Sequence, residues 1–192
     1  MKGRVRFVAI CAGIAAIAVS ACSIAPTTAA TTLYDFGPAN GGAVLIAAPI
    51  TVRVQAPPWL NATGIVYRLE YRDPAQIASY RDSRWAAPPA ELLAERMRQH
   101  AARGSRAPHG AGLRVEVEVE EFCQAFSTPE RSRAVVRVRA ALVDLASGRV
   151  LRQRAFAVEV DADGADAAGG AHALARAAEQ TIESLLSWVA AD

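Results

Sequence analysis

Cysteine, glycine and proline are all sparse in this sequence, at 3, 13 and 10 of 192 residues. Those numbers exclude a disulfide scaffold and a collagen-like repeat. Excess charge is missing too: the formal net charge is +2, with 52% apolar residues, so disorder is excluded as the main state. No continuous apolar run reaches the roughly 20 residues that a membrane-spanning helix needs. There is no Gly-x-Ser-x-Gly elbow, no phosphate-cradling glycine loop and no tandem repeat. The length suits a single domain with a tail and is enough to bury a core.

What is present begins with an address. Lys2, Arg4 and Arg6 precede Phe7 to Val19, which carries no charge. That run suits the core of a signal peptide. It ends in Val19-Ser20-Ala21-Cys22, which resembles a bacterial lipobox. Small residues fit the peptidase before the cut, and only a thiol can take a diacylglycerol thioether. The expectation is a signal peptide over 1–21, with Cys22 as the lipidated N-terminus; a plain secretory signal cut elsewhere is the alternative. Removing 1–21 takes three of the 21 cations, leaving 18 arginines against 19 acids and no lysine. No cationic excess then remains to attract nucleic acid. Ser23, rather than Asp, follows the cysteine, which favours export to the outer membrane, with the domain facing the periplasm. Cys123 is left as a lone thiol, read as a buried apolar residue in a strand.

Residues 22–32 read as a lipidated N-terminus and flexible tether, and 33–192 as one domain. Thr32 to Phe36 is an expected edge strand, Asn40-Gly41-Gly42 a turn, and Ala43 to Val54 a β-branched run interrupted by Pro49. Gly64 to Tyr71 alternates, with Ile65, Tyr67 and Leu69 on one side and Val66, Arg68 and Glu70 on the other. Gln76 to Tyr80 is a short strand candidate. Pro88-Pro89 opens a helix from Ala90 to about Arg103, with Leu92, Leu93, Met97 and Ala101 as its stripe and Gly104 as its stop. Leu113 to Glu120 alternates strictly, the mark of a strand with one dry face, and the phase break at Glu120-Glu121 predicts a bulge. Arg131 to Leu145 and Val150 to Val160 read as strands joined by a turn at Ala146 to Arg149; the inward register of the second stays open. Glu116 and Glu118 are expected opposite Arg137 and Arg139. Asp161 to Gly170 reads as a loop before a closing helix from about Ala171 to Val189. The pattern predicts an α+β fold: a twisted, mostly antiparallel sheet with two helices packed on one face.

Chemistry is scarce. His100, His109 and His172 lack ligand spacing, so no metal and no cofactor are expected. His100 near a helix C-terminus suits the helix dipole, and the other two read as solvated. The glutamates of residues 116–120 read as a solvated strand face, and Asn61-Ala62-Thr63 as an incidental glycosylation pattern. No catalytic residue is assigned and an enzyme is not expected. What stands out is an aromatic, proline-rich stretch: Pro57-Pro58-Trp59-Leu60, then Gly64-Ile65-Val66-Tyr67-Arg68, then Arg84-Trp85-Ala86-Ala87-Pro88-Pro89.

With the lipobox, Leu33-Tyr34, Val52-Arg53-Val54 and Leu92-Leu93, these motifs resemble, in order and spacing, the ABC-type transport auxiliary lipoproteins, which include the paraquat-inducible C-type proteins. The departures are Trp59, where Tyr is commoner, and Asn61-Ala62-Thr63 in place of an Asp-Arg-like turn. The resemblance implies a non-catalytic lipoprotein held in the outer membrane by its N-terminal lipid. It would dock onto an MCE (mammalian-cell-entry) domain protein, and through it an ABC permease and ATPase, in the transport of lipids; a homo-oligomer is compatible with such a collar. The alternative is a lipoprotein that assembles or plugs an outer-membrane β-barrel. Trp59, Leu60, Tyr67, Arg68 and Trp85 are the candidate partner-binding patch, since Trp, Tyr and Arg dominate interface energetics. Against this stands packing, in which the two Trp and Tyr67 cap the sheet end.

Overall fold

The computed structural model describes residues 30–39, 45–46, 49–104 and 112–191. The signal segment, Cys22, the Asn40-Gly41-Gly42 turn and His109 lie outside them. Among the described residues the chain runs β1 (Thr32–Tyr34), β2 (Ile50–Gln55), a 3-10 turn (Pro58–Leu60), β3 (Gly64–Leu69), β4 (Ile77–Trp85), α1 (Pro89–Gly104), β5 (Leu113–Thr128), β6 (Arg131–Asp144), β7 (Val150–Asp161) and α2 (Ala167–Ala190).

One sheet takes all seven strands, in the order β1-β4-β3-β5-β6-β7, with β2 also on β5. β5 organises it. Its first half pairs with β2, from Ile50↔Leu113 to Gln55↔Glu118, and its far end with β3, at Tyr67↔Gln124 to Leu69↔Phe126. Both pairings are parallel, as is β1 with β4. The longest ladders, β5 with β6 and β6 with β7, are antiparallel, so the sheet is mixed and mostly antiparallel, as the alternation predicts. Alternating Val115, Val117 and Val119 enter the core with Val136, Val138, Ala140 and Leu142, and the stripes of both helices close over them. Inward β7 residues are the even ones, led by Phe156.

Several boundaries differ from expectation, each for a physical reason. β5 continues past the bulge, found between Val119 and Glu121, to Thr128; residues 122–126 are buried on both faces, so their pattern no longer alternates. β4 runs to Trp85 rather than Tyr80, because β1 pairs with its last residues. α2 starts at Ala167, where Asp166 caps it by accepting from the Gly169 N–H at 2.7 Å. Gly169 and Gly170 therefore sit inside its first turn rather than in a loop. A Cβ on Gly170 would lie 2.0 Å from Gln124 Oε1, so the missing side chain lets the helix approach the sheet. In register Glu118 faces Arg139 as expected, Glu116 faces Ala141 instead, and the bulge sets Glu121 opposite Arg137. Arg139 pairs with Glu120 at 2.6 Å and Arg137 with Glu121 at 3.5 Å, while Glu116 pairs with Arg114 at 2.8 Å.

Candidate docking surfaces

The aromatic segment does not converge on one patch. Pro57-Pro58 forces a 3-10 turn, closed by the Leu60 N–H donating to Pro57 O at 2.9 Å. A tight turn sends neighbouring side chains in different directions. Leu60 is 1% exposed in the core, whereas Trp59 stands 46% exposed at the corner between β2 and β3. Trp85 is also 1% exposed, edge-on to Phe36 and Phe122 with centroids 5.7 Å from each. Strand alternation separates the remaining two. Tyr67 is half-buried beside Tyr80, 4.8 Å away, and Phe126. Arg68 points to the other face, donates to the Pro74 carbonyl and lies 3.7 Å from Glu121. Leu60 and Trp85 are thus packing residues, and Trp59 is the exposed aromatic of the five.

Both helices lie on one face, so the other is open, and it is laced with charge. Glu70, Arg133, Glu159, Arg137, Glu121 and Arg68 form a continuous alternating chain over four strands, with separations from 2.8 to 3.7 Å. Glu70 bonds to the Arg133 guanidinium hold that cation's pKa up. The chain roofs a small apolar cluster of Cys123, Ala125 and Val135 against Val66. Burial, reinforced by Glu121, pushes the Cys123 thiol up to about 12, so it stays protonated and is no nucleophile at physiological pH. Towards β2 the same face holds a cavity of about 340 Å³ between Arg53, Glu116, Glu118 and Arg139.

On the helix side lies a cluster that the sequence reading missed. Glu179 of α2 meets Arg96 at 3.0 Å and His100 Nε2 at 2.5 Å, both on α1. Arg96 also donates to the carbonyls of Gly37 and Pro38, pinning the strap after β1 against both helices. His100 is fully buried, so its partner is Glu179 and not a solvated helix end. The available signal was its place on the Leu93–Met97 stripe, where a polar side chain requires a partner. His172 is exposed and edge-on to Tyr34. Among the described residues no three His, Cys, Asp or Glu are grouped to hold a metal. Nor is any described helix long and apolar enough to cross a membrane.

The chain belongs to the family of ABC-type transport auxiliary lipoprotein components, whose model matches residues 38–185. It is similar to a crystal structure of a Xanthomonas campestris protein of the DUF330 family. The TM-score is 0.69 at 18% identity, over 84% of this chain and 95% of that one. A second crystal structure, of a protein of uncharacterised function, superposes with a TM-score of 0.64 at 17% identity, over 83% and 99% of the two chains. Both likenesses concern the fold. No curated protein matches the sequence.

Proposed function

We propose that the chain, cut before Cys22 and acylated there, is the outer-membrane-anchored periplasmic lipoprotein of an MCE/ABC-type lipid transport system. In this reading residues 1–21 are removed, 22–32 tether the lipid, and 33–192 dock the periplasmic assembly to the outer membrane. The domain performs no chemistry of its own, and the ATPase partner supplies the energy. One observation carries the reading: a family match across residues 38–185 behind a Val19-Ser20-Ala21-Cys22 motif. The MCE protein would meet exposed Trp59 at the β2–β3 corner and, further along β3, Arg68 on the open face, because Trp and Arg are strong interface anchors.

The test is light crosslinking of living cells, followed by recovery of a C-terminally tagged full-length chain from outer-membrane fractions. Recovery of an MCE-domain protein with its ABC partners is expected. Recovery of an outer-membrane β-barrel alone would instead support an assembly or plug lipoprotein and end this reading. Cys22→Ser should abolish incorporation of labelled fatty acid; persistent labelling would overturn the lipidation site.

A further inference from the structure

We propose that the sheet end formed by the β6–β7 hairpin is a lipid-facing tip, resting on the anionic bilayer that holds the N-terminal lipid. The proposal depends on the acylation of Cys22 put forward above. Register gathers three segments at this end: the Leu113 N–H donates to Pro49 O at 2.9 Å, and the Leu145 N–H to Gly112 O at 3.1 Å. Three large aliphatics then project into solvent from one hairpin: Leu145 at 42%, Val150 at 52% and Leu151 at 50% exposed. Soluble hairpin tips usually carry polar residues, and clustered aliphatics there need a cover.

The charge around them suits an anionic lipid surface. Asp144 is the only acid of residues 144–151, and its carboxylate is occupied within the turn, accepting from the Ser147 N–H at 2.7 Å and Oγ at 2.8 Å. Arg149 stands exposed between Leu145 and Val150, whereas Arg152 turns to the helix side, donating to the Val189 carbonyl at 3.4 Å with its guanidinium 5.2 Å from the Trp188 ring. Exposed aliphatics with an arginine among them seat at the boundary of acyl chains and anionic headgroups. The opposite end is more acidic: its turns hold Glu70, Asp73 and Glu130 against Arg72 and Arg131.

The tether length permits this orientation. Ten residues separate Cys22 from Thr32, a reach of at most about 35 Å when extended. The pairings Thr32↔Ser83, Gly64↔Arg84 and Tyr67↔Gln124 place Thr32 about nine residues, roughly 30 Å, along β5 from Leu113. With the tip on the bilayer, the tether still reaches the lipid.

The test uses the lipidated mature protein reconstituted into phosphatidylethanolamine–phosphatidylglycerol vesicles, with an environment-sensitive nitrobenzoxadiazole dye on Leu145→Cys, Leu151→Cys or, at the opposite end, Tyr71→Cys. Cys123 is buried and protonated and Cys22 is acylated, so each introduced thiol is the one that reacts. Tip labels should brighten several-fold, shift to the blue and be quenched by nitroxide-bearing lipids, while the Tyr71→Cys label does neither. Tip labels as dim as that control, or brightening only when a partner protein is added, would overturn the proposal. Intact mass and vesicle flotation separate the two readings. A chain that floats with dim tip labels defeats the tip alone, and a chain without the lipid mass defeats both.

Discussion

Two tryptophans in the same aromatic stretch do different work, because one lies in a strand between rings and the other on a tight turn. Trp85→Ala removes a ring packed on Phe36 and Phe122 and should cost about 3–5 kcal/mol by urea unfolding. Trp59→Ala should stay within about 0.5 kcal/mol of wild type in the same assay. Gly170→Ala would drive a methyl group into Gln124, which accepts from Tyr80 Oη and donates to Ser132 Oγ, both at 2.8 Å. Overpacking there should cost about 1–3 kcal/mol, measured as a lowered urea midpoint. Cys123 and Tyr80 also bear on alkaline stability. Burial raises both from ordinary values of 9.0 and 10.0 to about 12. The folded chain thus holds protons that the unfolded chain releases, and the stabilisation is complete below pH 9 and lost as pH rises towards about 12. Urea midpoints should decline across that window, and Cys123→Ala should lessen the decline.

At the scale of elements, α1 and α2 are joined by a polar clamp as well as by their stripes. Arg96→Ala would strip half-buried Glu179 of one partner and release the Gly37 and Pro38 carbonyls. The expected loss is about 2–3 kcal/mol, with faster proteolysis at the strap of residues 35–39. The charge chain on the open face is worth less per member, because its side chains are partly hydrated. Arg137, about half exposed, should lose less than about 1 kcal/mol on change to Ala, with the difference shrinking further in high salt. In the docking role proposed above, ion pairs of so little intrinsic worth would leave this face free to exchange partners.

For the whole molecule, one covered and one open face mean that the docking proposed above would spread its contacts over a surface. Association should therefore be sensitive to single surface changes that leave the fold untouched. Trp59→Ala and Arg68→Ala are expected to preserve the circular dichroism spectrum while lowering recovery of the proposed MCE-domain partner after crosslinking. Unchanged recovery from both variants would remove the corner from consideration.

Periodicity alone determined much of this protein. The period-two run from Leu113, the helical stripes of α1 and α2, and the break at Glu120-Glu121 each report one element's exposure to water, which local pattern encodes. The Val19-Ser20-Ala21-Cys22 motif and the order of the aromatic and proline motifs carried the family in the same direct way. Only the tertiary structure decided what depends on distant segments meeting. It placed β2 and β3 end to end on one edge of β5, and sent Leu60 and Trp85 inward while leaving Trp59 outside. It brought Glu179 to His100 across 79 positions. It also drew α2 forward to Ala167, because glycines that read as a loop are what close packing against Gln124 requires. Burial on both faces of residues 122–126 erased the alternation that would have announced the rest of β5, since a residue covered from either side carries no trace of which side is wet.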